Sequence, residues 1–533
     1  MENTLHIGQK MPFSARGEIP LVLCDEICHT DLTDDFTLPD YMPEIVRLLR
    51  VGVKTAPADS YLTGGAVKAA CSLGYDVLYV GGDGNVYSTV LPASCEFSVL
   101  IAPDCVWEHT KGADIRADIS PESVISRVSG ARKLNVKCRV SAKIRAIGKR
   151  TIADDGSISD DGHVQRLFSM SEYSIESFGS NNDVKIVDDI GTLRDDERYL
   201  CSDCRVFVEQ ATAYDGYAEC RGTIVMKHLL SGAGGELRSI SDKMNFSEVI
   251  EADGMRSGDS VMAFGHCYEA TLNGEGDSDG FVNDQRTVNA LVSLYVRGFR
   301  TEAMGYLKDA YSTLSECFLQ RETYKLPLYR GAYNRNMTFS GTESLEKLPA
   351  LSDGARIVDV FAESYDGNVE LSDAGRCVIS GKCRFNLISV KDGLEGEGKA
   401  SPEYSAVEVE LPFKYDCAEG CEGFEMGNVV LENIGARARI DGDRLELGCE
   451  IAIACDLLSG AEVNAICSLT VGGASEKNRR GFTVCYPDKN DSLWSISKKY
   501  RARVDHTAEE NGIELTLDAD SKKTLEGIKY MIV

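Results

Sequence analysis

Three long stretches of this chain alternate apolar and polar residues in a way that few structures allow. The first is KLNVKCRVSAKIRAI from Lys133, in which the valines and Cys138 fall on one face of an extended chain and the charged residues on the other. The others are TVNALVSLYVRGFR from Thr287 and RLELGCEIAIACDL from Arg444. Alternation of this length is typical of a strand with one buried face in an antiparallel sheet. The chain is therefore predicted to be mainly β.

These stretches recur at a nearly constant spacing. Leu134, Val288 and Leu445 occupy corresponding places and are 154 and 157 residues apart. A second kind of strand contains a glycine and precedes each long stretch. Its three copies are GGAVKAACSL with Gly65, ECRGTIVMKHLL with Gly222 and VISGKCRFNLI with Gly381. The glycines are 157 and 159 residues apart, so two independent markers share one period.

Such a period far exceeds the roughly 20 to 50 residues of solenoid repeats, so each copy is predicted to be a domain with its own core. Short strands punctuated by glycine favour a sandwich or a barrel in each. The predicted fold class is three tandem antiparallel β domains followed by a small α/β domain. The predicted boundaries are 1–167, 168–330, 331–475 and 477–533. Helix is scarce, and the best candidate ahead of the last domain runs from Tyr41 to Arg50.

The charge of the chain narrows the classes of partner. A formal net charge of −27 repels phosphate backbones and anionic lipid surfaces, so neither nucleic acid nor a membrane surface is predicted as a partner. No apolar run approaches the roughly 20 residues that a spanning helix requires. The N-terminal residues lack the long apolar segment of a signal peptide. The chain is predicted to be cytoplasmic.

The cysteines are predicted to be reduced. Their number, 19, is odd and no export signal accompanies them, which does not favour a disulfide scaffold. Cys138, Cys449 and Cys455 fall on apolar positions of alternating strands, where a thiol behaves as a small hydrophobe. Cys201 and Cys204 form the one C-x-x-C, and a zinc site there is the alternative. We expect buried thiols, no metal and no cofactor.

Catalytic motifs are scarce. Gly258-Asp259-Ser260 is similar to the motif of one class of esterase, in which Ser260 is the nucleophile and a later Asp and His complete the site. It precedes VMAFG, and no D-x-x-H follows near the end of the chain, so a turn entering a strand is the preferred interpretation. His228 and His266 are interpreted as ordinary strand residues. We expect no catalytic residue, and the protein is predicted not to be an enzyme.

The residues from 477 to 533 form a pattern of their own. Asp491 and Ser492 offer side-chain oxygens to the free N–H groups at a helix start, and Gly512 is suited to end a helix in the left-handed conformation. The predicted order is a strand with Phe482, Val484 and Tyr486, a helix with Leu493, Ile496 and Tyr500, a helix over 505–510, and a strand with Ile528, Tyr530 and Ile532.

The residues DSLWSISKKY (491–500) followed by ENGI (510–513) resemble the LysM domain. Modules of that family bind N-acetylglucosamine glycans or, in some settings, protein partners. The usual Gly-Asp-Thr is here NDS, from Asn490. Trp494 is either a core residue or a half-exposed anchor for a partner. The resemblance implies a ligand or partner site at Asp491, Ser492, Leu493, Asn511, Gly512 and Ile513, and Trp494 is added as the possible anchor.

Four further segments resemble the SPOCS domain family. They are LPDYMPEIVRLLRV (38–51), VLYVGGDGNVYS (77–88), CRGTIVMKHLL (220–230) and KDAYST (308–313). In that family tandem copies are joined to a C-terminal LysM domain in proteins of endospore-forming bacteria, including the SipL-type spore coat morphogenetic proteins. The resemblance covers almost the whole chain.

The combined resemblance implies a non-enzymatic scaffold of coat assembly, located in the mother cell at the forespore surface. Its implied partners are spore coat morphogenetic proteins, among them the ATPase that polymerises at the base of the coat. The alternative is a protein that binds peptidoglycan through N-acetylglucosamine and its LysM domain. We prefer the scaffold, because a mother-cell protein without an export signal does not reach a polymer outside its membrane.

Overall fold

The structure is a computed structural model. It describes residues 6–8, 18–102, 107–151, 163–191, 197–232, 235–273, 286–351, 354–371, 377–392, 402–417, 424–474, 483–514, 525 and 527–533. Strands account for 79% of the structure and helices for 6%, and the sheets are antiparallel. The predicted mainly β fold is therefore confirmed. In these ranges no helix combines the length and the apolar character needed to cross a membrane.

The strands form three units of similar make-up, here called the first, second and third units. The first contains β2 (Glu18–Thr37), β3 (Ile45–Thr55), β4 (Asp59–Thr63), β5 (Ala66–Gly81), β6 (Val86–Leu100), β7 (Asp114–Gly130) and β8 (Lys133–Thr151), with β1 (His6–Gly8) ahead of it and the short helix α1 (Trp107–Thr110) between β6 and β7. The second contains β9 (Val164–Gly191), β10 (Arg198–Tyr214), β11 (Tyr217–Ser231), β12 (Leu237–Glu251), β13 (Ser260–Asn273) and β14 (Arg286–Ser312). The third contains β15 (Ser315–Ser344), β16 (Arg356–Leu371), β17 (Cys377–Asp392), β18 (Pro402–Cys417), β19 (Glu425–Asp441) and β20 (Arg444–Ala474).

Each unit consists of two sheets with one rule of strand order. One sheet is ordered β2-β8-β7, β9-β14-β13 or β15-β20-β19. The other is ordered β3-β5-β6, β10-β11-β12 or β16-β17-β18. β4 continues the edge of β3 along β5, and β1 pairs with β9. The predicted boundaries at 167 and 330 lie inside β9 and β15, so a division ahead of those strands keeps each unit whole.

A separate apolar core lies between the two sheets of each unit. Leu134, Val288 and Leu445 are 0% exposed near the starts of β8, β14 and β20. Burial then alternates along β8, whereas much of β14 and β20 is buried on both faces. Cys138 and Cys449 are core residues, as their positions in the sequence predicted.

The sheets built on β5, β11 and β17, here called the second sheets of the units, correspond to one another by strand register rather than by glycine position. β3, β10 and β16 are each shifted by one residue against the central strand, and the shift lies opposite Leu78, Leu229 and Ile388. Seven residues ahead of these lie Cys71, Gly222 and Gly381. A Cβ at either glycine would meet a phenylalanine ring of the next strand. Gly65 lies instead in the turn between β4 and β5 with φ 79°, so its predicted equivalence is wrong.

The helix predicted from Tyr41 to Arg50 is absent, and β3 takes most of that segment. Two register shifts against β5 interrupt the alternation of β3. As a result its buried residues, Ile45, Leu49, Gly52 and Thr55, are three or four positions apart. That spacing imitates the period of a helix.

The three units meet around a common buried cluster. Its members are Leu49, Leu78 and Val86 of the first unit, Leu200 and Leu229 of the second, and Phe361, Ile388, Val390 and Tyr404 of the third. Ion pairs surround it, including Arg205 with Glu432 at 3.2 Å and Lys227 with Asp359. The units therefore use the same face of their central strands to contact one another.

The C-terminal module, residues 483–533, contains β21 (Val484–Cys485), α2 (Leu493–Tyr500), α3 (Val504–Glu510) and β22 (Met531–Ile532), in the predicted order of elements. The prediction of which residues in its two strands face the core is wrong. Cys485 and Met531 are the buried residues, whereas Tyr486 is 76% and Tyr530 is 60% exposed. Two-residue strands are too short to show alternation. Phe482 lies outside the described residues.

Candidate functional site

The predicted ligand residues ahead of α2 hold the start of that helix. The Ser492 hydroxyl accepts from the Ser495 N–H at 3.1 Å, and the Ser495 hydroxyl accepts from the Ser492 N–H at 2.9 Å. This reciprocal arrangement satisfies two free N–H groups of the helix. Asp491 accepts from the Asp488 N–H at 2.9 Å. The exposed part of the loop is therefore 488–490, just ahead of the predicted residues.

The predicted ligand residues after α3 also take part in contacts within the module. The Asn511 side chain accepts from the Ile532 N–H and donates to the Ile532 carbonyl, each at 2.7 Å, which ties α3 to β22. Ile513 packs against the core of the module. Gly512 is exposed and has φ 63°, a conformation that favours glycine. Among these three residues, Gly512 is the exposed one, whereas Asn511 and Ile513 are half-buried.

Leu493 and Trp494 are core residues. They are 0% and 3% exposed. The indole N–H of Trp494 donates to Asp309 at 2.9 Å, and its ring meets Tyr311 edge-on at 5.0 Å between centroids. The anchor interpretation of Trp494 is therefore wrong, because both its ring and its polar group are used within the chain.

Asp309 joins the C-terminal module to the second unit. Its carboxylate accepts from Trp494, from the Lys498 ammonium at 2.7 Å and from the Arg321 guanidinium at 3.0 Å. Burial beneath the module raises the pKa of Tyr311. Asp309 and Tyr311 both belong to KDAYST, the segment whose sequence resembled a known family, but the sequence did not show that α2 binds there.

One face of the module is left open. Val484 pairs with Ile532, and continuing that register places Tyr486 opposite Tyr530. Val484 is 47% exposed, and both tyrosines are more exposed still. We call Val484, Tyr486 and Tyr530 the aromatic face.

The zinc alternative at Cys201 and Cys204 does not fit the geometry. Residues three apart on a strand point to opposite faces, and β10 is a strand here. Cys204 enters the core of the second unit, whereas Cys201 lies against the cluster between units. Burial raises the pKa of Cys201 to about 11. Within the described ranges no three His, Cys, Asp or Glu side chains are grouped to hold a metal.

Ser260 is exposed at the first position of β13. Its neighbour Asp259 accepts from the Arg256 N–H at 3.0 Å and from Arg300 at 2.9 Å. The motif is thus a turn entering a strand, as interpreted.

A buried polar chain that sequence reasoning missed lies at one end of the second unit. The Ser202 hydroxyl is 2.6 Å from His228 Nδ1, and His228 Nε2 is 2.9 Å from Asp188 Oδ2. The three residues are 4%, 0% and 2% exposed. The Tyr199 hydroxyl is 2.7 Å from that of Ser202. The available signal was His228 itself, an ionisable residue at an apolar position of an alternating strand.

A cavity of about 320 Å³ lies beside this row of hydrogen-bonded side chains, between the first and second units. Ser202 and Tyr199 line it, together with Arg50, Lys54 and Asp76. The Lys54 ammonium pairs with Asp76 at 2.7 Å and donates to the Ser202 carbonyl at 3.2 Å. Arg50 lies 4.0 Å above the Phe361 ring, with Glu363 at 3.7 Å. The lining therefore has two cations and one anion in a chain that is strongly acidic.

Comparison with known proteins gave no match among family models, curated proteins or solved structures.

Proposed function

We propose that this protein is a scaffold in spore coat morphogenesis, which acts by binding partners at the forespore surface in the mother cell. In this proposal the three units are tandem SPOCS domains and the C-terminal module is a LysM domain. Its partners are spore coat morphogenetic proteins, including the ATPase at the base of the coat. The observation that carries the proposal is the aromatic face, which is open while most of the predicted ligand residues are used to hold the module together.

Two exposed tyrosines beside a valine suit a protein partner. Aromatic side chains with a polar tip bury much area at little cost in conformational entropy and are frequent hot spots of interfaces. Attachment through Asp309 holds the module on the strand ends of the second unit. A partner bound at the aromatic face is thereby positioned relative to the whole chain, which is what a scaffold requires.

The test is binding of the purified coat-base ATPase to the full chain. Tyr486→Ala with Tyr530→Ala should weaken binding at least about 30-fold, since one hot spot contributes roughly 2 kcal/mol or more. Tyr61→Ala is the matched control, because Tyr61 is 53% exposed on β4, far along the chain from the module. Undiminished binding by the double variant, with an unchanged thermal midpoint, would reject the aromatic face as the binding surface.

The second candidate function is binding of peptidoglycan or other N-acetylglucosamine glycans. It is favoured by the same exposed tyrosine rings and by Gly512 at the surface of the module. Titration of the full chain with chito-oligosaccharides, followed by calorimetry, distinguishes the two. Tight binding of the sugar together with no binding of the ATPase would replace the scaffold proposal by this one.

A further inference from the structure

The three units provide an internal comparison for the buried polar chain. The register that aligns their second sheets pairs Ser202 with His228. The equivalent pairs are Val51 with Val77 in the first unit and Val360 with Leu387 in the third. Both other units therefore fill this place with two apolar side chains.

Asp188 is also peculiar to the second unit. It lies opposite Val288, and the residues opposite the equivalents of Val288 are Phe36 and Glu343. Neither of the other units combines a carboxylate with a serine and a histidine at these positions. The set of three arises once, where strands β9, β10 and β11 of the second unit come together.

Folding does not explain this set. Burial of polar groups costs free energy unless every group is paired, and two units of the same strand order do without them. A buried group of ionisable residues beside a cavity is where a functional site is expected. The comparison within the chain thus separates what the sandwich requires from what the second unit adds.

The distances fit an arrangement in which the imidazole of His228 is neutral. Because a carboxylate only accepts, Nε2–H of His228 then donates to Asp188, and Nδ1 is the acceptor. The Ser202 hydroxyl therefore donates to Nδ1, and the Tyr199 hydroxyl donates to the Ser202 oxygen. A hydroxyl that donates to a histidine held by a carboxylate is the arrangement of an activated serine nucleophile.

The cavity indicates the class of substrate. About 320 Å³ is at the lower end of the range for small-molecule sites. Asp76 offsets the charge of Lys54, so the net positive charge of the lining comes from Arg50. Val77, Leu78 and Leu200 bring apolar surface. A small ester whose body is apolar and whose far end is a carboxylate or phosphate matches both.

We propose that Ser202 is the nucleophile of an acyl-transfer site for such small anionic esters, which goes beyond the scaffold role and uses a different part of the chain. The Ser202 oxygen attacks the ester carbonyl carbon while its proton passes to His228 Nδ1. The Tyr199 hydroxyl is placed to donate to the oxyanion that forms. The ester C–O bond then breaks, and the alcohol leaves with the proton from His228. Water, deprotonated by His228, then attacks the acyl carbon, the bond to the Ser202 oxygen breaks, and His228 returns the proton to that oxygen as the carboxylic acid leaves.

The first test uses a fluorophosphonate probe on the full chain, with mass mapping of the modified peptide. The probe should phosphonylate Ser202 with loss of fluoride, and Ser202→Ala should abolish this. His228→Leu should slow the modification roughly 10²–10⁴-fold, the usual contribution of a general base. Ser260→Ala is the control, since Ser260 is exposed and outside the site. Failure of the probe to modify Ser202, or an equal rate in His228→Leu, would overturn the proposal.

A second variant separates reactivity from folding. Ser202→Val with His228→Leu copies the apolar pair found in the third unit, and Asp188→Leu is added so that no buried carboxylate loses its partner. The thermal midpoint of this triple variant should not fall while modification disappears. A strongly lowered midpoint would show that the polar chain is structural and would count against the proposal. Asp188→Asn should slow modification and change its pH profile, because a neutral amide no longer stabilises the imidazolium that forms. An unchanged profile would remove Asp188 as the positioning residue.

The substrate class has its own readout. Hydrolysis of the 4-nitrophenyl monoester of succinate is compared with that of 4-nitrophenyl acetate. Arg50→Gln should raise KM for the succinate ester at least about 10-fold more than it raises KM for the acetate. Equal effects on both esters would exclude recognition of the anionic end. Loss of binding by the aromatic-face variant bears on the scaffold alone, so the two proposals fail separately.

Discussion

The three units and the C-terminal module are stabilised in different ways. Each unit closes a core between its own two sheets. The module has strands of two residues and helices of eight and seven, and its core includes Leu167 and Tyr311 of the second unit. A segment this small buries only a modest share of its surface, so contacts with the second unit are expected to add to its stability. The comparison teaches that the position of the module and its folding depend on the same contacts.

The largest effect is expected inside a unit. Phe385 is 0% exposed in the core of the third unit, and Phe385→Ala should lower the free energy of unfolding by roughly 3–5 kcal/mol. Phe318→Ala is the control, because Phe318 is 64% exposed. Chemical denaturation of both variants measures the difference. Equal losses in the two would mean that the unit does not close its own core.

The next effect concerns the joint between unit and module. Asp309→Ala leaves the Trp494 N–H and the Lys498 ammonium without their acceptor, at a cost of about 2–3 kcal/mol. Hydrogen exchange should accelerate in α2 and not in the cores of the units. Asp505→Ala removes an exposed ion pair with Arg503 on α3 and serves as control. Unchanged exchange in α2 would show that the module holds itself together.

The ionic contacts between units should contribute less to stability at acidic pH. Burial alone would raise the pKa of Asp203, but the charges of Arg205 and Arg50 outweigh it and hold the pKa at about 2. Because the folded value lies below the ordinary one, ionised Asp203 stabilises the protein above about pH 4, and this contribution is lost as the pH falls towards 2.

The contribution of ionised Asp203 to the free energy of unfolding is about 2 kcal/mol. Denaturation of the wild type and of Asp203→Asn, each at pH 6 and pH 2.5, should show the wild type losing more by about that amount. Parallel losses in the two proteins would exclude Asp203 as the acid-sensitive group.

The smallest effect on stability is expected at the aromatic face. Tyr530→Ala removes a side chain that is 60% exposed, so the free energy of unfolding should change by less than about 0.5 kcal/mol. Thermal unfolding checks this. A large loss would mean that the face is packed rather than free to bind.

Particular elements show where sequence reasoning succeeds. The burial of Leu134, Val288 and Leu445 was predictable because alternation over a long strand is a signal carried by the strand itself. The phase of β21 was not predictable, because two paired residues are too few to define a period. The apparent helix over Tyr41 to Arg50 arose from register shifts that only the partner strand β5 reveals.

Some residues of the candidate sites were likewise predictable from the sequence, and others were not. The sequence predicted the loop residues at Asp491 and Asn511 from their resemblance to a known module, but only the contacts show that both side chains hold the module together. It offered no means of pairing Ser202 with His228 or of bringing Asp188 to them.

By itself, the sequence determined the mainly β class, the long central strands and the order of elements in the C-terminal module, because local periodicity and capping act between near neighbours along the chain. The tertiary structure alone decided which residues stand opposite one another, and with that the attachment of Trp494 to Asp309 and the buried chain from Ser202 to Asp188. Register between distant strands is a property of packing, since it is chosen by the two faces that bury each other.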